Sequence, residues 1–237
     1  HQPRNGFSGT LVPGFGNMKQ QQAGSGGRRR KTMTTALQYD HSDRADPDIP
    51  EDEHDYGYRT LIDDRTGKIS YRPLTYEDLL DPEEGDVYMQ GTLHDNDVGD
   101  LKSIFRYHLR NREDVGVYSD LKILWGIPGL SEPAPDISIV SGVKDPRKPR
   151  GHFSVPDEGV SPFFVIEVVS PGYRKADITD KPEIYRKAGV SEYIIVDSSP
   201  YDENPSYRIS GYRLVGNRYI RNHPDDRGRI YSRETGV

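Results

Sequence analysis

The sequence predicts an α/β domain behind a disordered N-terminal arm, and three observations predict it. Short apolar runs at residues 137–140, 163–169 and 192–197 have the length and β-branched content of strands buried on both faces. Residues 97–112 and 181–188 repeat apolar positions at three- and four-residue spacing, as helices do. The first 32 residues have no period and almost no aliphatic side chains.

Composition bounds the rest. A chain of 237 residues allows one domain with appendages, or two small ones. With 32% hydrophobic and 30% charged residues, a sizeable core is confined to part of the length. There is no cysteine, which excludes disulfides and cysteine-based zinc sites. No apolar run approaches the ~20 residues of a membrane span, so no membrane partner and a cytoplasmic location are expected. The net charge of −6 conceals three zones. Residues 1–32 carry six bases and no acid, residues 33–100 carry 19 acids against five bases, and residues 101–237 carry 19 acids against 21 bases. The excess of acid over base lies in residues 33–100, so overall acidity does not exclude a nucleic-acid partner.

The elements follow in order. Residues 1–32, with the run Arg28-Arg29-Arg30-Lys31, read as a basic disordered tail or a non-native extension before a start at Met33. Residues 33–72 are acidic and contain proline, and read as an arm or linker. The organised domain spans 73–237. Thr75 with Asp78 resembles a capping box opening a short helix that Pro82 and Gly85 end. His94 is expected just before the helix of residues 97–112, where a cap or packing role is its ordinary use. Two strands follow at 115–118 and 121–125, with Asp120 between them as a turn residue and a candidate supporting residue of the site. After the strand opened by Pro135-Asp136 comes a polar loop at 141–160, with Lys144, Arg147, Lys148 and Arg150. Pro182 suits the first turn of the second helix and Gly189 its end. Gly216-Asn217 joins two closing strands as a hairpin turn.

One residue breaks the pattern. Glu167 stands in the middle of an apolar strand, where a carboxylate is tolerated only if paired, hydrogen-bonded or bound to a metal. If the strand after Asp136 is its neighbour, two carboxylates converge, and Lys181 from the following helix can lean over them. Mg²⁺ binds through one or two carboxylates while keeping its waters, and supplies an activated water and charge neutralisation for phosphodiester cleavage. Asp136 and Glu167 would be its ligands, with the backbone carbonyl of Val168 as a third. The plain alternative is Asp136 in a turn and Glu167 paired with Arg or Lys.

These residues, in the run Pro135-Asp136, Glu167-Val168-Val169-Ser170-Pro171, Asp177, Lys181, Tyr185, Gly189-Val190 and Tyr193, resemble the bacterial Uma-two (Uma2) family of restriction-type endonucleases. That family lies within the PD-(D/E)XK nuclease superfamily. The resemblance covers roughly residues 74–232. It implies a restriction-endonuclease-like core, with a central mixed β-sheet flanked by helices, and a Mg²⁺ or Mn²⁺ ion at Asp136 and Glu167. The superfamily places a lysine two residues after the acid, a position held here by Val169. The resemblance moves that role to Lys181, with Lys175 as rival and with Asp177 and Tyr185 supporting. His94 falls where this family often carries a histidine. The chain stops near Ser232 to Val237, before relatives usually finish, so a last strand is expected to be missing.

The function implied is a metal-dependent DNA endonuclease, and analogy adds a homodimer able to cut both strands. The alternative is an inactive nuclease-like domain that binds nucleic acid or a protein partner. A glycosidase using Asp136 and Glu167 as acid and base is a third reading, and would want aromatic side chains beside them. The chain lacks a P-loop and the His-Glu-x-x-His helix of zinc proteases.

Overall fold

The computed structural model describes residues 56–198 and 207–237. The basic tail and the front of the acidic arm lie outside the described residues. The centre is a six-stranded sheet built from β4 (Gly116–Tyr118), β6 (Ile137–Val140), β8 (Pro162–Val169), β9 (Glu192–Ser198), β10 (Tyr207–Val215) and β11 (Arg218–Asn222). Their spatial order is β11-β10-β9-β8-β6-β4, with β8 and β9 parallel and every other neighbouring pair antiparallel. The sheet is therefore mixed, and helices α2 (Thr92–His108) and α4 (Lys181–Ala188) accompany it as expected.

Alternation along β8 sorts its side chains between two cores. Phe164, Ile166 and Val168 join Val98, Phe105 and Leu109 of α2 in one cluster. Val165 and Val169 join Tyr185, Val190 and Tyr193 in the other, on the α4 side. Glu167 shares the parity of Val165 and Val169, so the strand aims it into the α4 cluster. The parallel β8–β9 pair requires a crossover, which α4 provides. Pro182 sits in its first turn, and Gly189 ends it in the left-handed region at φ 82°. The Gly216-Asn217 hairpin also forms, pairing Val215 with Arg218.

Four expectations change. The first long helix begins at Thr92, five residues before its apolar period, so His94 lies inside its first turn. Only Ile123–Leu124 (β5) of the second expected strand is extended, and it pairs in parallel with Phe153–Ser154 (β7). β7 and a short helix α3 (Val155–Glu158) therefore organise part of the presumed polar loop. A π-helical turn, Ala176–Asp180, precedes α4.

The fourth change concerns the arm. Gly57–Ile62 (β1) and Ile69–Pro73 (β2) form a hairpin, and Asp86–Tyr88 (β3) adds to β1 on its other side. Charge conceals this sheet in the sequence, because a buried cation holds it. Arg59 Nε lies 2.6 Å from Asp86 Oδ1, Nη1 2.6 Å from Glu83 and Nη2 3.0 Å from Asp78. Gly57 has φ 112°, and a Cβ there would sit 1.9 Å from the Val87 carbonyl oxygen. Asp78 also closes the predicted capping box of α1 (Tyr76–Leu80), accepting from the Thr75 N–H at 2.7 Å and hydroxyl at 2.8 Å. Tyr56, Leu74 and Leu79 form a small core beneath.

Replacing Arg59 by Met strands the carboxylates around it. The expected loss is about 2–3 kcal/mol, below that of a deeply buried pair because solvent reaches Glu83. Hydrogen exchange should show the loss confined to residues 57–88, and protection unchanged there would refute the role of Arg59.

Candidate active site

The register of β6 on β8 builds the site. Ile137 pairs with Ile166 and Ser138 with Val165, so one step further sets Asp136 opposite Glu167. Opposed residues of an antiparallel pair carry neighbouring side chains on one face. β6 ends at Ile137, and the Asp136 carboxylate takes over the next ladder position: Oδ2 accepts from the Val168 N–H at 2.6 Å. The N–H and C=O of one extended residue project to the same side. The Val168 carbonyl therefore projects toward the side of Asp136.

Glu167 has no exposed surface. Its Oε2 lies 2.9 Å from Lys181 Nζ, and its Oε1 accepts from the Tyr185 hydroxyl. Lys181 Nζ is also 2.7 Å from Asp177 Oδ1, on the π-helical turn one step before α4. Tyr193 donates to the Asp177 carbonyl at 2.6 Å and packs against Tyr185. Burial pushes the Glu167 and Asp177 carboxyls upward, and Lys181 opposes that rise. Burial pulls the Lys181 ammonium down, but the two carboxylates outweigh it, so its affinity for the proton ends above the usual lysine value. Burial raises the Tyr185 phenol as well.

His94 Nε2 stands 3.3 Å from Asp136 Oδ2. Burial opposes its protonation, and the Asp136 hydrogen bond and charge overcome that and raise its pKa. Asp120 is exposed, with φ 52°, and its N–H donates to the Pro135 carbonyl at 3.0 Å. Its carboxyl is raised by partial desolvation and the nearby Asp136 charge. Lys175, the rival lysine, lies 4.6 Å from the centre of the Tyr76 ring. Lys181, rather than Lys175, meets Glu167.

A cleft of about 810 Å³ opens onto Asp136, Asp120 and Lys181 between the core and the β3 segment. Lys122 and His152 also line it, and neither stood out in the sequence. Among the described residues no group of three or more His, Asp or Glu side chains is arranged to hold a metal. Mg²⁺ does not need three, since it binds through one or two carboxylates and keeps its waters. Asp136 and Glu167 offer hard oxygen donors at opposed register positions, the donor type that Mg²⁺ takes.

The family model described as "Putative restriction endonuclease", Uma2, matches residues 83–237. The chain belongs to the Uma2 family. The Uma2 match takes in every residue of the candidate site, from His94 to Tyr193, and leaves β1, β2 and α1 outside it. No curated protein matches. Among solved structures, one described as a putative nuclease belonging to DUF820, from Anabaena variabilis, is 18% identical with a TM-score of 0.41, covering 70% of this chain and 75% of that one. No helix among the described residues is long and apolar enough to cross a membrane.

Removing the cation tests the electrostatics of this Uma2 site. Lys181→Met leaves Glu167 and Asp177 buried without a counter-charge, at a cost of about 3–5 kcal/mol near pH 8. Both carboxyls titrate above their ordinary values in the fold. The stability tied to their protonated forms is therefore full at low pH and is lost as pH rises through the raised values. Urea unfolding should accordingly show a smaller loss at pH 5 than at pH 8. An equal loss at both would refute the charge argument.

Proposed function

We propose that the chain is a Mg²⁺- or Mn²⁺-dependent DNA endonuclease of the PD-(D/E)XK type, with its lysine supplied by α4 instead of the strand. One observation carries the reading: the β6–β8 register sets Asp136 opposite Glu167, and Lys181 Nζ lies 2.9 Å from Glu167. The family supports it. Asp136 and Glu167 would hold the metal, which would supply a water of lowered pKa and neutralise charge on the scissile phosphate.

The chain's own groups divide the remaining work. Tyr185 fixes one oxygen of Glu167, so the other has a single orientation. Lys181 is held protonated by its two carboxylates, which suits stabilising developing negative charge and not accepting a proton. Asp177 and Tyr193 set the lysine's position, and are positioning residues. The Val168 N–H and His94 orient Asp136. Glu167 must be ionised to hold a cation, and burial raises its pKa, so metal uptake and rate should fall as pH drops.

The test is nicking of supercoiled plasmid by the purified chain with Mg²⁺ or Mn²⁺. Asp136→Asn and Glu167→Gln should slow nicking by about 10³-fold or more, and Lys181→Met by about 10²–10³-fold, the usual scale for removing a positioned charge-stabilising group. The parent rate should rise with pH as the buried Glu167 carboxyl ionises. Variants that nick like the parent would overturn the assignment. DNA retention on a gel without nicking under either metal would favour a binding module instead.

A further inference from the structure

The candidate cleft is an unwelcoming approach for a polyanion. Glu83, Glu84 and Asp86 line its outer wall and Asp120 and Asp136 its inner side, against Lys122 and Lys181. The opposite charge lies on the other side of the site. α2 starts at the site, with His94 on Asp136, and its later turns reach β4, the edge strand of the large sheet, and Ser119 beyond it. Lys102 Nζ reaches Ser119 Oγ at 2.6 Å, and Arg106 reaches the Val117 carbonyl at 3.4 Å. Each step of four residues turns by about 40°, so Lys102, Arg106 and, just past the helix end, Arg110 wind progressively from the buried face that holds His94 and Val98 to the exposed one. At 1.5 Å per residue, Lys102 lies about 12 Å and Arg106 about 18 Å from His94 along the axis.

Arg106 and Arg110 line a groove of about 710 Å³ beside β4, together with Arg112, Arg147 and Lys148. Two carboxylates, Glu113 and Asp145, share it. The arginine side chains touch neutral groups: Arg106 the Val117 carbonyl, Arg110 the Tyr107 carbonyl and ring, and Arg112 the Ser141 hydroxyl. The dipole of α2 accounts for cations at its C-terminal end. It does not account for Arg112, Arg147 and Lys148, which come from other segments to the same groove.

We propose that the phosphodiester backbone of a nucleic-acid duplex leaves the site along this track and is held by these five cations, away from the acidic wall. The inference rests on the nuclease reading for its substrate. A duplex advances about 3.4 Å per base pair, so Arg106 meets the backbone about five base pairs from the cut.

The test is binding of a fluorescein-labelled 24-base-pair duplex, without divalent metal, across a salt series. The parent is compared with an Arg106→Gln/Arg110→Gln/Arg147→Gln/Lys148→Gln variant and with Arg147→Gln/Lys148→Gln alone. These side chains are exposed, and an unchanged thermal melt certifies folding. Each lost phosphate contact flattens the slope of log K against log salt by about 0.9, so reductions of about 3.6 and about 1.8 are expected. Affinity at about 0.1 M salt should fall at least about tenfold in the fourfold variant. Glu83→Gln/Glu84→Gln should leave the slope unchanged. Unchanged slopes in both cation variants overturn the track, even where the parent nicks plasmid. A chain that never nicks but loses slope as stated keeps the track and loses the nuclease reading.

Discussion

A carboxylate with no exposed surface in the middle of an eight-residue strand is the constraint on which the rest of this structure depends. Ionised and alone, such a group would cost several kcal/mol. Glu167 is therefore met on both oxygens, by Lys181 and by Tyr185. Both partners lie on α4 at i and i+4, one turn apart. The crossover helix must then start close to the end of β8 and cross its face at Glu167. The π-helical turn before it is part of that solution, since it brings Asp177 to the other side of Lys181. Such turns are frequent at functional sites. The lysine is thus the counter-ion of two buried carboxylates, Glu167 and Asp177.

The second carboxylate depends on a strand ending. Asp136 closes the ladder that β6 abandons, binding the Val168 N–H in place of a strand partner. A carboxylate so fixed stays at the sheet edge, open to the cleft, while Glu167 lies deeper. Around this pair the charge is unevenly divided: the β3 segment contributes acids, and the β4 edge contributes cations. Three of the acids among residues 56–100, Asp78, Glu83 and Asp86, surround Arg59.

The parts of the site legible in the sequence were those where a residue violated its local pattern. Glu167 interrupts an apolar run, and Asp136 opens the preceding strand after a proline, so both stand out from local pattern alone. The helical period from Lys181 to Gly189 located the cation. Lys175 and Lys181 could be separated only by the fold, which turns one toward Tyr76 and the other toward Glu167. His94 was misplaced by a few residues because the first turn of α2 is polar and carries no apolar period. Asp120 was read as a turn residue, which its φ of 52° bears out, and its nearness to Asp136 is a tertiary fact. Tyr193 carried no signal of its own, since a tyrosine in a buried strand is ordinary packing. The β1–β2 hairpin was hidden by composition, because one buried arginine replaces the apolar face that a strand normally advertises.

The sequence by itself determined the strands of the central sheet, the α4 crossover, the Gly216-Asn217 hairpin and the residue types of the candidate site. Those follow from local periodicity and from side chains that cannot be buried without partners. Only the tertiary structure decided which partners they have. Register set Asp136 against Glu167, the crossover chose Lys181, and α2 carried His94 to the same point. The reason is physical: periodicity reports which face a residue occupies, whereas pairing between distant segments depends on strand order, register and helix placement, which no local pattern encodes.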